Sequence, residues 1–221
     1  TENYTLSLPD ALPIYNEVID LIPRWLGSAY DRSLVGVALS KGAMKNLLGS
    51  ESTEDWIKAC RILDYCTAVT WNTDRTSSGR KKPVTAIEDY WLKNIIEHHA
   101  KSFGIKAGKQ AADIFRVRII DVFGEKFGAL PTYVTRAAIE KHEQNHDWRG
   151  TENLLVEGMR DVLLSWVDGD TTVESKIYIE ELLRDKNEMV RRIAIYVLDQ
   201  HWQRLSGLYE KIGRASCRER V

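Results

Sequence analysis

Apolar residues recur at spacings of three and four along almost the whole chain, and no segment alternates convincingly between apolar and polar side chains. A helix needs a period of 3.6 and a half-buried strand a period of two, so the pattern confines the chain to an all-α fold. The first stripe, Val18, Leu21, Ile22, Trp25 and Leu26, predicts a helix over about 17–29 that Pro23 kinks or splits. A second helix is expected over about 32–48, capped by Asp31 and closed before Gly49. A third follows the capping signature Ser52-Thr-Glu-Asp55 and carries Trp56, Ala59, Cys60, Ile62, Leu63 and Cys66 on its apolar side.

The pattern breaks from Trp71 to Pro83, where Asn72, Asp74, Ser77, Ser78 and Gly79 read as an exposed polar connector ending in Arg80-Lys-Lys-Pro83. A fourth helix is expected from Thr85-Ala-Ile-Glu88 to about Gly104, with Ile87, Tyr90, Trp91, Ile95 and His98 on its stripe. A fifth runs over about 107–123. Pro131-Thr132 opens a sixth, to about residue 146, and Gly150-Thr151 separates it from a seventh that carries Leu154, Leu155, Gly158, Val162, Leu163 and Trp166. Asp168-Gly169-Asp170 reads as a turn. The eighth and ninth, over about 173–184 and 187–200, are joined by Arg184-Asp185-Lys186 alone and are expected to pack as an antiparallel pair; a tenth begins near Trp202.

The two ends do not share this character. Residues 212–221 are what one reading frame of a widely used short-read sequencing adapter encodes, and residues 1–14 resemble the opposite-strand adapter, departing from it at Asn3 and Pro9. Residues 1–14 and 212–221 are therefore expected to be non-native and without function, leaving 15–211 as a helical repeat-type module cut from a longer chain. Removing the ends takes away Arg214, Arg218 and Arg220 against Glu2, Asp10 and Glu219, so the net charge stays at −1.

That balance argues against a dedicated binder of nucleic acid or of an anionic membrane, which normally carries a basic excess. No apolar run has the length a bilayer requires, so no membrane partner is expected. Outside the ends, Cys60 and Cys66 stand six apart on one predicted helix among apolar neighbours. They read as small buried thiols and fit a reducing cytoplasm.

One short motif carries metal chemistry. His142-Glu143-Gln144-Asn145-His146 satisfies H-E-x-x-H, in which two His at i and i+4 on a helix bind zinc and the Glu polarises the metal-bound water. Its setting is poor: Asp147 and Arg149 follow, the helix is expected to end at Gly150, and neither His201 nor any carboxylate is singled out as the third ligand. A solvent-facing helix end accounts for it, and no metal ligand is assigned.

His98 and His99 point about 100° apart on a helix, so they do not chelate one ion together, and His98 reads as a core histidine. Gly104-Ile-Lys-Ala-Gly108-Lys109-Gln110 lacks the spacing, the hydroxyl and the preceding strand of a phosphate-binding loop. The basic loop Arg75 to Lys82 reads as a solvated connector, and Trp25, Trp56, Trp91 and Trp166 as core. No catalytic residue, cofactor-binding residue or cofactor is assigned.

Short connections between amphipathic helices leave two architectures, an irregular α-solenoid or a globular bundle. The run Asp185-Lys-Asn-Glu-Met-Val190-Arg191-Arg-Ile-Ala194 resembles the opening of the second helix of HEAT repeats, with a capping Asn or Asp, an inward Val, an Arg and a small Ala. Arg136-Ala-Ala-Ile-Glu-Lys-His142-Glu-Gln-Asn, then Asn153-Leu-Leu-Val-Glu-Gly-Met-Arg160-Asp161, then the 187–198 helix follow an order similar to the helical C-terminal regions of large bacterial STAND/NACHT-like P-loop ATPases, a group that includes anti-phage defence proteins. The resemblance spans roughly residues 85–211. It implies HEAT-like hairpins that sense a target while the ATPase lies N-terminal; the ATPase motifs themselves are absent here.

The expectation is a non-enzymatic protein-interaction or sensor module of a larger cytoplasmic bacterial protein, partnered by another protein or by the rest of its own chain. Arg116, Arg191 and Arg192 are the expected exposed contacts. The alternatives are a zinc metallohydrolase using the H-E-x-x-H motif and a nucleic-acid-binding repeat using the basic loop.

Overall fold

The computed structural model describes residues 16–73, 81–124, 136, 138–140, 142, 145 and 150–209. Both terminal runs set aside above lie outside these residues. The described chain is predominantly helical, with one small antiparallel hairpin. Helices α1 (Asn16–Leu26), α2 (Ala29–Ala38), α3 (Met44–Gly49) and α4 (Thr53–Thr67) precede strands β1 (Val69–Thr73) and β2 (Lys81–Thr85). Then come α5 (Asp89–Phe123), α6 (Thr151–Gly169), α7 (Glu174–Leu182), α8 (Glu188–Gln200) and α9 (202–209).

Pro23 stands inside α1 without dividing it. The second helix starts earlier than expected, because the cap is Ser28, whose Oγ accepts from the Asp31 backbone N–H at 3.4 Å, and not Asp31. A π-helical stretch, Leu39–Ala43, joins α2 to α3 in unbroken helical backbone. Ser52 does stand at the N-cap of α4, but its side chain makes no capping bond.

The polar connector is a correction. Its flanks pair as strands, with Trp71 opposite Pro83 and Thr70 opposite Val84. Val, Thr and Trp suit the pleat, and Pro83 is tolerated because both strands of a two-stranded ladder are edges. The hairpin base is fastened to the end of α4 by Ala86 N–H to Ala68 O (2.8 Å) and Ile87 N–H to Cys66 O (3.2 Å).

Helix α5 is two limbs meeting at Gly108, the sole non-helical residue within it (φ +41°). Asp89 at its start touches Thr151 at the start of α6, and Gly104 abuts Val162 to Trp166, so the first limb runs beside α6 in the same direction. Gly108 lies on Trp166 and Phe115 on Gly158, so the second limb runs back along the same helix. Two helices were expected here, and the break falls at Gly108 and not near 104–107.

Helix α6 is consequently buried along nearly its whole length, from Thr151 through Leu154, Leu155, Met159 and Leu163 to Val167. Arg116 and Arg118, two residues apart and so on opposite sides of the second limb, tie the flanks down. Arg118 pairs with Asp64 of α4, and Arg116 with Glu181 of α7 and Asp185. Asn187 caps α8, accepting from Met189 and Val190 N–H. The expected sixth helix is not found where the chain is described: residues 136, 138–140, 142 and 145 are in no helix.

A Cβ at position 104 would lie 2.4 Å from the Val162 carbonyl oxygen, which is helix backbone and cannot swing aside. Gly104→Ala is expected to lower the free energy of unfolding by about 1–3 kcal/mol in urea titration. Gly42→Ala, with nothing within 4 Å, serves as the control and is neutral or stabilising by up to about 1 kcal/mol.

Candidate functional site

A polar cluster lies where Arg136 and Ile139 meet α6 and Arg192 of α8. The Arg136 side chain is buried (1% exposed). Its Nη1 donates to Asn153 Oδ1 (2.6 Å), and its Nη2 donates to Ile139 O (3.2 Å) and approaches Glu157 (3.5 Å). Asn153 and Glu157 stand one turn apart on α6, so both acceptors meet the same guanidinium.

Arg160, also buried and a further turn along, sends Nη1 to the same Ile139 carbonyl (2.9 Å) and holds Asp161 through Nε and Nη2. From α8, Arg192 donates to the backbone oxygen of Arg136 (2.9 Å). Asn145 closes the segment on itself: its Oδ1 accepts from Ala138 N–H, and its Nδ2 donates to the carbonyls of Ala138 and Glu140.

Burial, together with the charges of Arg160 and Arg192, weighs against the charged form of Arg136, while Glu157 favours it. Burial likewise weighs on Arg160, but its bonds to Asp161 outweigh that and its pKa rises. Arg192 is lowered by burial against the attraction of Glu188. Guanidiniums keep their protons through such shifts, so three positive charges share this site with Glu157, Asp161 and Glu188. The Nε of Arg136 is buried and has no hydrogen-bond partner among the described residues.

The residues singled out in the sequence fare differently. Of the zinc motif, His142 is exposed and Asn145 buried, and neither is on a helix. Glu143, Gln144 and His146 lie outside the described residues. Among the described residues no group of three or more His, Cys, Asp or Glu side chains is placed to hold a metal ion.

His98 is exposed and bonds Asn94 O, while His99 is the buried neighbour, its Nε2 unpartnered. The buried face of α5 runs through Ile95, Ile96, His99, Ala100 and Phe103, one residue on from the stripe expected. Cys60 and Cys66 are buried and free, and burial pushes both thiols up to about 12. Gly104 to Gln110 lies within the kinked α5, where its glycines serve helix contact. Residues 75–80 of the basic loop are outside the described residues, and Lys82 is exposed on β2. Trp166 is core (7% exposed); Trp25, Trp56 and Trp91 are half-buried.

The expected contact arginines are corrected as well. Arg116 is held between Glu181 and Asp185, Arg191 donates to the carbonyls of Asp185 (2.6 Å) and Lys186 (2.9 Å), and Arg192 joins the buried cluster. Each is half-buried and bonded within the molecule, Arg116 to two carboxylates, Arg191 to turn carbonyls and Arg192 to a backbone oxygen.

No family model, curated protein or solved structure matches the chain.

Asn145→Asp turns two donors facing carbonyls into an acceptor. It is expected to cost about 1–3 kcal/mol in urea titration, more than Asn145→Ala. Burial first, and the charge of His98 second, hold His99 below its ordinary value of 6.5. The unfolded chain therefore binds the proton first, so stability is present above about pH 6.5 and is lost as pH falls below it. The melting temperature is expected to fall between about pH 7 and pH 5, and His99→Gln to flatten that slope.

Proposed function

We propose that the chain is a non-enzymatic helical-repeat module for protein–protein interaction, an irregular HEAT-like solenoid segment of a larger cytoplasmic bacterial protein of the STAND/NACHT-like kind its sequence resembles. The observation that carries this reading is the α7–α8 pair. Its second helix supports a HEAT-like reading: Asn187 caps it, Val190 and Ala194 are fully buried, and Arg191 bonds the turn carbonyls. Its outside is apolar beyond what a solvated pair needs. Val173, Ile177 and Ile195 are more than half exposed, as is Tyr209 on the next helix, where it meets Trp202 edge-on. Val173 and Ile177 stand one turn apart, and neighbouring exposed apolar residues of this kind are a feature of surfaces that other polypeptide covers. Among the described residues no helix is long and apolar enough to cross a membrane.

Ile177→Asp and Ile195→Asp change exposed side chains only, so each is expected to leave stability within about 0.5 kcal/mol of the parent chain. In the full-length protein each is expected to weaken binding of its protein target about tenfold or more, measured by titration calorimetry. Target binding unchanged in both variants would overturn the interaction reading. Metal analysis of the purified chain separates the zinc reading: stoichiometric zinc that disappears in His146→Ala would replace this proposal. Salt-dependent binding to random duplex DNA would do the same in favour of nucleic acid.

A further inference from the structure

We propose that Gly108 is the hinge of a domain-swapped dimer, in which α5 becomes one continuous helix and residues 109–209 of each copy pack against residues 16–107 of the other. The inference goes beyond the α7–α9 face and rests on none of its exposed residues; the partner here is a second copy of this chain.

The hinge is what points to exchange. Two helices that reverse direction are ordinarily joined by a loop of about two to five residues. Here Gly108 alone joins the limbs, at φ +41° and ψ −109°, with helical backbone on either side. Turning that one residue into the helical region merges the limbs into a single helix of 35 residues, Asp89–Phe123. A straight α5 has no way to lay both limbs on its own α6. Hinges this short invite the exchange of halves between copies.

The contacts to be exchanged lie across the hinge. Helix α6 stays with the second limb, where Gly158 meets the Phe115 ring. The first limb meets α6 through Gly104 against the Val162 carbonyl and through Asp89, which accepts from the Thr151 hydroxyl at 2.9 Å. The second limb meets α4 through the Arg118–Asp64 ion pair. Each of these last three contacts joins a residue before Gly108 to one after it, so each re-forms between copies. Closed and swapped forms therefore share their contacts, and the balance lies between hinge conformation and the entropy of association. Glycine favours the closed monomer, since it takes positive φ without steric cost and is a poor residue inside a helix. Alanine reverses both preferences, and in the closed form its Cβ would lie 2.8 Å from the Trp166 ring.

The purified full chain and its Gly108→Ala variant are compared by size-exclusion chromatography with light scattering over a range of concentrations. Gly108→Ala is expected to dimerise with a Kd about tenfold or more below that of the parent chain, its helical circular dichroism unchanged. A folded variant that dimerises no better than the parent overturns the hinge.

A second arm separates exchange from ordinary association and decides the matter where Gly108→Ala does not fold. Asp64→Arg and Arg118→Asp are placed in separate chains, so that each closed monomer brings two like charges together. In the swapped heterodimer, position 64 of each chain meets an opposite charge at position 118 of the other. The two chains, unfolded in urea and refolded as a mixture, are expected to give a heterodimer, and each refolded alone to give about tenfold less dimer. A mixture that gives no more dimer than the separate chains overturns the swap.

Discussion

Everything in this fold hangs on how closely α5 approaches α6. Three glycines make the approach: Gly104 against the Val162 carbonyl, Gly158 against the Phe115 ring, and Gly108 against Trp166. Gly108 does a second thing, since its φ of +41° lies where side-chain-bearing residues are strained. It turns α5 back so that both limbs lie on one partner helix. A helix covered on two sides by one neighbour has little surface left for water, and α6 is accordingly lined with Leu154, Leu155, Val156, Met159, Val162 and Leu163. The same reversal places Arg116 and Arg118 between the N-terminal and C-terminal helices and lets one short limb fasten both.

Much of this was legible because helices leave a periodic record. The stripes of α4 and α6 and the tight α7–α8 connection follow from spacing alone, whereas the α1 stripe was misplaced: Ile19, Ile22 and Leu26 are buried, and Val18 and Leu21 are exposed. The hairpin was not legible, because each strand is five residues long and is stabilised by its partner more than by its own alternation. A shift of one position separated His98 from His99: consecutive helical residues point about 100° apart, so adding His98 to the Ile87–Ile95 stripe rotated the inferred face just past the true one. Pattern reading also gave 131–146 a helix that residues 136–145, where described, do not form. There the chain is held by side chains of α6 and α8, and tertiary bonds of that kind have no local signature.

The arginine cluster shows the same limit more sharply. Arg160 could have been noticed, since it interrupts an otherwise apolar stretch of α6 between Met159 and Val162. Arg136 could not, because its partners are an amide, a carboxylate and a carbonyl brought together only by the fold. Burying such a residue is costly, and a satisfied network is the condition for its survival. Asn153, Glu157 and Ile139 O meet most of that demand, and the orphaned Nε marks where it is not met.

Arg191 belongs to a wider pattern of arginines that bond the carbonyls at helix ends. Arg32 donates to Leu26 O at the end of α1, Arg118 to Asp64 O near the end of α4, and Arg191 to the carbonyls between α7 and α8. Arg204 reaches Val167, Asp168 and Asp170 O at the end of α6. Helix C-termini leave carbonyls unpaired and carry a partial negative charge, and a guanidinium with five donors answers both. A chain with many short helices has many such ends, so much of its positive charge is used internally. Beside exposed polar residues such as Glu174, Glu181, Asp199 and Gln203, the outward residues of α7, α8 and α9 include the large apolar Ile177, Ile195, Trp202 and Tyr209. Under the proposed interaction reading, that face would recognise its partner chiefly through apolar contact.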